Sequence, residues 1–207
     1  MPHAYPLMLD VSDRLIVIVG GGAVAVRKAK GLLDAGATRV RVVSPTFHPE
    51  MPTDVERVPA SYEPKQLDGA QLAFAATDAP GVNERVVRDA NARGIWVNRS
   101  DEGEQGDFAT PAKLVDGDVT ITVSAGSAAL AAAIRDDLAG KLDRRHVKLA
   151  EAMKTLRPAV RMSEADPQKR AAIFRELVSE DALAAIDAGG IGNLLPWLRK
   201  RHPNVKL

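Results

Sequence analysis

No cysteine occurs in the 207 residues, which excludes disulfides, thiolate catalysis and any metal site built on cysteine. Histidine is scarce as well. His3, His48, His146 and His202 stand far apart with no ligand spacing, so no resident metal site is expected. A charge excess is also missing: 28 Lys and Arg against 27 Asp and Glu leave +1, and nothing in that balance calls for nucleic acid. No apolar run approaches the roughly 20 residues needed to cross a bilayer. The opening M-P-H-A-Y-P has neither a basic n-region nor an apolar h-region, which a secretory leader would need. These absences predict a soluble, cytoplasmic protein with no membrane or nucleic-acid partner. The length suits one full α/β domain plus a smaller second unit.

The most informative stretch is Leu15 to Ala25, L-I-V-I-V-G-G-G-A-V-A. A short apolar, β-branched run stops at three glycines and gives way to helix-favouring sequence, the pattern of a buried strand turning sharply into a helix. Gly20, Gly22 and Ala25 occupy the three positions of G-x-G-x-x-G/A. The first suits a tight turn, the second admits backbone N–H groups to a pyrophosphate, and the third permits close packing of helix on strand. The helix start at Ala23 and Val24 offers unpaired donors and a positive dipole end to an anion. A tight turn with a packing role alone would also use small residues, so the motif needs its βαβ context.

That context follows. A helix is predicted over Ala23 to Ala35, with Val24, Leu32 and Leu33 toward the core, Arg27, Lys28 and Lys30 outside, and Gly36 as its stop. A second strand, Arg39 to Val43, ends at Ser44-Pro45; strand, helix and strand within about thirty residues make a βαβ unit. Where an Asp or Glu usually meets the adenosine ribose, this chain has Ser44, and no Arg follows it to take a 2′-phosphate. NAD is therefore expected rather than NADP, with Arg41 the residue that argues the other way.

Phe47 to Leu67, rich in Pro and charge, reads as surface with one short strand near Val55 to Val58. Leu72 to Ala76 is a further strand, followed by a helix to about Arg93, capped by Thr77 or Asp78, with Pro80 in its first turn and Gly94 at its end. Ile95 to Asn98 is the next strand and delivers Asn98, Ser100 and Asp101 to its carboxyl end, where open parallel sheets bind ligands. After a polar loop, Glu102 to Asp107, strands at Lys113 to Val115 and Val119 to Ser124 turn through Asp116-Gly117. Ser127 caps a helix over Ala128 to Ala139, with Gly140 at its end.

Beyond it no strand is expected. Leu149, Met153, Leu156 and Val160 mark one helical face; Asp166-Pro167 starts a second helix, with Ile173, Leu177, Phe174 and Val178 as its apolar side; and Ser179 starts a third, ending at Gly189-Gly190. These helices look too few to enclose a core of their own, which predicts packing on the first domain or on a second copy, a homodimer being the economical form. The basic end, Arg199 to Arg201 with Trp197, reads as a solvated helix end.

The order Y-P-L-M-L-D-V, I-V-G-G-G-A-V-A-x-R-K-A, L-L-D-A-G-A, V-V-S-P, A-A-T-D with Asn83 following, G-I-W-V-N, D-F-A-T-P-A and V-S-A-G resembles the siroheme synthase amino-terminal module, the precorrin-2 dehydrogenase and sirohydrochlorin ferrochelatase family. The resemblance covers Tyr5 to Leu138 closely and the helical remainder in kind. It implies a Rossmann-type NAD-binding α/β domain over Met1 to Thr110, a dimerisation region over Pro111 to Arg145 and a small helical domain over His146 to Leu207. The implied activity is oxidation of precorrin-2 to sirohydrochlorin with NAD in siroheme or cobalamin biosynthesis, with transient Fe2+ or Co2+ if metal is also inserted.

By position, the family's essential aspartate falls on Asp101, where a carboxylate can act as general base beside a departing hydride; a loop-capping carboxylate is the alternative. Dinucleotide contacts fall on Gly20, Gly21, Gly22, Ala23 and Val24, on Ser44, Pro45 and Thr46, and on Thr77, Asp78 and Asn98. Thr77-Asp78 would serve equally as a helix cap, and Asn98 as a turn residue. Against a substrate with many carboxylates, Arg99, Lys113 and Arg135 are candidate partners, with surface solubility as their other role. Ser124 opens a loop that faces the expected substrate cleft.

Two departures stand out. Ser124 to Leu130 is shorter than the family's serine- and glycine-rich loop and lacks its Pro, and Arg99 replaces a usually apolar residue. Two other functions remain open: a chelatase that has lost dehydrogenation, and an NAD-binding sensor that turns nothing over.

Overall fold

The computed structural model describes residues 5–101 and 105–206; His3 and residues 102–104 of the expected polar loop lie outside them. The chain divides into two units, Met1–Thr110 and Pro111–Leu207.

The first unit is a five-stranded parallel sheet, β1 (Leu15–Val19), β2 (Arg39–Val43), β3 (Glu56–Val58), β4 (Leu72–Ala75) and β5 (Trp96–Arg99), in the order β3-β2-β1-β4-β5. Helix α1 (Ala23–Leu33) joins β1 to β2 and α2 (Pro80–Asn91) joins β4 to β5. All five residues of β1 are buried, because a parallel strand covered on both faces reads as an unbroken apolar run. Ile16 and Ile18 pack into one core with Val42, Phe74 and α1's Ala25 and Ala29. Val17 and Val19 pack into the other with Val43, Ala75 and α2's Val86 and Ala90. From β1 the chain runs outward through β2 and β3, then returns to β4 on the opposite side. The crevice outside the carboxyl ends of β1 and β4 is therefore the switch point at which such sheets bind ligands.

Several local expectations are corrected here. The α1 core face is Ala25, Val26 and Ala29, with Leu32 and Leu33 only partly buried, and Lys28 is half-buried rather than outside. Phe47 to Leu67 is not all surface: Met51, Val55, Tyr62 and Leu67 are buried, so this loop closes both cores at the β3 edge. Neither Thr77 nor Asp78 caps α2. Its N-cap is Ala79, without a side-chain cap; Thr77 Oγ1 accepts from the Ala79 N–H instead, and Asn83, fully buried, is bound to Thr77 through both amide atoms.

The second unit begins with an antiparallel hairpin, β6 (Ala112–Asp116) and β7 (Val119–Val123). Gly117, at φ +54, holds the first of its two loop positions, as a tight hairpin requires. Helix α3 (Ala128–Lys141) is capped by the Ser127 hydroxyl, which accepts from the Leu130 N–H. It runs through Gly140 rather than stopping there.

Helices α4 (Arg144–Ser163), α5 (Pro167–Glu176) and α6 (Glu180–Arg201) follow. They correct the expectation that the helical end has no core of its own. Leu149, Leu156, Val160, Ile173, Leu177, Ile186, Leu194 and Leu198 form one buried cluster, while Val178, expected on an apolar side, is 56% exposed. The core closes because α6 breaks at Gly189 and Gly190 and resumes, which turns one long segment into two packing faces. Gly190, at φ +61, lies in the region that favours glycine.

Candidate functional site

The β1–α1 turn is shaped by contacts that exclude side chains. Gly20 sits at φ +132, and a Cβ there would stand 2.2 Å from the Ala76 carbonyl oxygen. A Cβ on Gly21 would stand 2.0 Å from the Thr46 carbonyl oxygen and 2.6 Å from Ser44 Oγ. The middle glycine, unassigned by the fingerprint, is thus required by the loop after β2. A Cβ on Gly22 would meet nothing within 4 Å. Backbone bonds tie the neighbouring loops to this turn: Gly20 N–H to Val43 O at 2.9 Å, Ala76 N–H to Val19 O at 2.8 Å, and His48 N–H to Gly21 O at 2.8 Å.

The result is a cavity of about 890 Å³ lined by Gly20 to Val24, Ser44 to Thr46, Thr77, Asp78, Ser100 and Asp101. The eleven expected contact and catalytic positions among these, with Ser100 beside them, thus share one space, and the volume is that of a small-molecule site. Gly22 is the N-cap of α1 and has no side-chain cap, and no acidic residue stands in the first turn. The free N–H groups and the positive dipole end there suit a pyrophosphate, and the open space over Gly22 is where backbone and anion would meet. The residues fit a dinucleotide.

At the far side of the crevice Arg99 corrects its expected place. It is 1% exposed, because it projects from β5 to the α2 face beside Ala75. Its Nε donates to Asp101 Oδ1 at 3.0 Å and its Nη2 to Oδ2 at 3.2 Å, and its Nη1 donates to Gln105. A guanidinium so occupied and buried is unsuited to a substrate carboxylate. The Arg99 guanidinium, with Asn83, holds the Asp101 carboxyl below the ordinary carboxylate range, while the Asp101 side chain stays 31% exposed at the cavity.

Asn98 does not line the cavity. It is 4% exposed on the opposite face, its Nδ2 donating to Phe108 O at 2.8 Å, and its Oδ1 is a buried acceptor without a protein partner. Lys113, Ser124 and Arg135 belong to the second unit; the first two are exposed, and Arg135 pairs with Asp136 at 2.6 Å.

Sequence reasoning missed Phe47, His48, Ser61, Tyr62 and Val82 on the cavity wall. Tyr62 is 7% exposed, and its hydroxyl donates to Asp89 at 3.2 Å; burial and then Asp89 push the phenol well above its usual value. A lone aromatic in a Pro-rich loop carries no periodic signal by which to find it. Arg41 is engaged elsewhere, with Glu56 at 2.9 Å and Gln66 O at 3.3 Å. Among the described residues no group of three or more His, Asp or Glu could hold a metal ion. No helix among them is long and apolar enough to cross a membrane.

The comparisons agree with this geometry. The sequence is similar to siroheme synthase of Chromobacterium violaceum, 37% identical over 189 residues, which is 87% of this chain and 39% of that protein. It is also similar to siroheme synthase 1 of Aeromonas salmonicida, 33% identical over 89% of this chain and 41% of that one. The chain thus spans about two-fifths of the length of these curated relatives. Among solved structures, SirC, precorrin-2 dehydrogenase, has the same fold, with a TM-score of 0.78 at 22% identity over 95% of this chain and 100% of that chain. Residues 7–112 match the profile of a family described as "Putative NAD(P)-binding". With the glycine turn, the dinucleotide-sized cavity and a matching profile over half its length, the chain belongs to that NAD(P)-binding family.

Proposed function

We propose that this protein oxidises precorrin-2 to sirohydrochlorin with NAD. The observation that carries the reading is the joining of an anion-binding glycine turn and an ionised carboxylate, Asp101, in one cavity at the sheet's switch point. Likeness to siroheme synthases over most of the chain supports the substrate. Nicotinamide dinucleotide, when bound, supplies the hydride acceptor. Gly20 to Val24 receive the pyrophosphate through backbone N–H groups; Ser44 to Thr46 meet the adenosine ribose, and among the described residues no Lys or Arg lines the cavity there, which favours NAD over NADP, Arg41 being paired with Glu56; Thr77 and Asp78 bound the cavity on the β4 side. Asp101 takes up the proton that leaves the macrocycle after its hydride. Asn98 holds the Phe108 loop on β5.

A homodimer is part of the proposal. Residues 111–145 form its dimerisation region, between the dinucleotide domain (1–110) and the helical domain (146–207). Leu130, Ile134 and Leu138, four residues apart on α3, are 52, 39 and 36% exposed, and Val115 is 55% exposed, an apolar stripe of the kind that marks an interface. Lys113 and Ser124 are retained as substrate contacts, as is Arg135. Insertion of Fe2+ or Co2+, for siroheme or cobalamin, is a second activity for the same acidic edge, and the cytoplasm is the proposed site of action.

The test is an anaerobic assay with fresh precorrin-2, following sirohydrochlorin absorbance with NAD, with NADP and with Asp101→Ala. Product with NAD, lost in the variant while NAD still binds, is expected. NAD binding by the wild type without product would favour a redox sensor, and metal insertion without oxidation a chelatase.

A further inference from the structure

The buried arginine behind Asp101 has no part in holding a dinucleotide. Arg99 does not line the cavity, yet it is the largest fully buried side chain described. Removing a guanidinium from water is costly and is tolerated only where its donors are paired in good geometry. Here they are: Nε and Nη2 grip the two oxygens of one carboxylate, the fork-on-fork arrangement that fixes both distance and plane. Nη1 is engaged by Gln105, and Glu84 of α2 stands 4.0 Å from Nη2. Arg99 is the last residue of β5, and the bend at Ser100 and Asp101 brings the carboxylate back onto its guanidinium. The inner face of the carboxylate is thereby taken up, and its outer face remains at the cavity.

We propose that Arg99 is the positioning residue for Asp101, presenting its carboxylate to the macrocycle as a fixed, oriented anion. This rests on the oxidation proposed above for its catalytic half. In that reaction the macrocycle gives a hydride to the dinucleotide and a proton to Asp101, which releases it to water. Hydride loss leaves the macrocycle cationic, so the departing proton is acidic and a carboxylate of low basicity suffices to take it. The anion, already in place, meets developing positive charge without reorganising. Among the described residues, the charged and titratable groups around the pair are Arg99 itself on β5, Glu84 of α2 beside the guanidinium, and Asp78, His48 and Tyr62 on the cavity wall, with Asn83 as a neutral donor.

The test compares Arg99→Leu and Arg99→Gln with the wild type, and uses Arg99→Lys as the conservative variant. The first readout is the carboxyl carbon resonance of Asp101, assigned by its loss in Asp101→Asn and titrated with acid. Its midpoint should rise in Arg99→Leu and Arg99→Gln, and less in Arg99→Lys. A midpoint unchanged in a folded variant overturns the proposal, and if the Leu variant fails to fold the Gln variant decides it. The second readout is precorrin-2 oxidation. kcat should fall about 10- to 100-fold, the scale of a misplaced catalytic group, with NAD affinity within about twofold of wild type, the acid limb moved to higher pH, and part of the rate regained in Arg99→Lys. A kcat equal to wild type across the pH range overturns the catalytic half. If the wild type itself oxidises no precorrin-2, the proposed function fails, while the resonance titration still decides whether Arg99 sets the state of Asp101.

Discussion

Substituting the three glycines of the turn one at a time separates folding from binding. Gly22→Ala adds a methyl group to open space, at an N-cap with φ −83. Alanine is a poorer N-cap than glycine by about 0.5–1 kcal/mol, and the loss of unfolded-state freedom returns about 0.4–1 kcal/mol. Stability should therefore stay close to wild type. Gly20→Ala has to hold φ +132 with its Cβ 2.2 Å from a backbone oxygen, which costs roughly 1–3 kcal/mol in strain before the clash is counted. At about 4–8 °C per kcal/mol for a unit of this size, its Tm should fall by about 5–20 °C.

Binding reverses the order of interest. The methyl at position 22 holds the pyrophosphate off the helix N-terminus, and a charge-assisted hydrogen bond lost there is worth about 1.5–3 kcal/mol. That is about 10- to 150-fold in Kd. Thermal unfolding followed by circular dichroism and titration calorimetry with NAD read the two quantities. A folded Gly22→Ala protein that binds NAD as tightly as the wild type would refute the placement of the pyrophosphate on α1.

Other perturbations test other parts of the molecule. Leu156→Ala, at a fully buried site of the helical core, should cost about 2–5 kcal/mol, seen as a lower urea midpoint, with NAD affinity unchanged. Lys28 has its ammonium lowered by burial from 10.5 to about 8. The unfolded chain thus holds one more proton between those values, and stability should rise with pH across that window. Lys28→Met should flatten the rise in urea midpoint between about pH 8 and 10, and an equal slope in both proteins would count against it. Ile134→Asp on the exposed stripe of α3 should convert a dimer to monomer in light scattering behind gel filtration, and an unaltered mass would exclude that stripe as the interface.

The parallel sheet was legible because its signals are local. Five apolar β-branched residues followed by three glycines announce β1 and its turn, and short-range periodicity announces the helices around them. For the same reason Gly20 to Val24, Ser44 to Thr46, Thr77, Asp78 and Asp101 could be placed on one sheet edge from their positions at strand ends. The cap at Ser127 and the helix starts at Asp166 and Ser179 were legible too, and all three side chains accept a backbone N–H.

What depended on distant partners was not legible. Arg99 reads as a surface cation because charge is normally solvated, and only strand register and the neighbouring carboxylate place it inside. Tyr62 reaches the cavity because Asp89, 27 positions away, takes its hydroxyl. The third helix of the carboxy-terminal half looked like an end at Gly189-Gly190, whereas the break lets Leu194 and Leu198 return to the core. Sequence by itself determined the strands, the phosphate turn and the edge where the site lies, since these follow from backbone freedom and local periodicity. Tertiary structure alone decided which charges are buried and where the second core closes, because both are set by contacts between residues far apart in the chain.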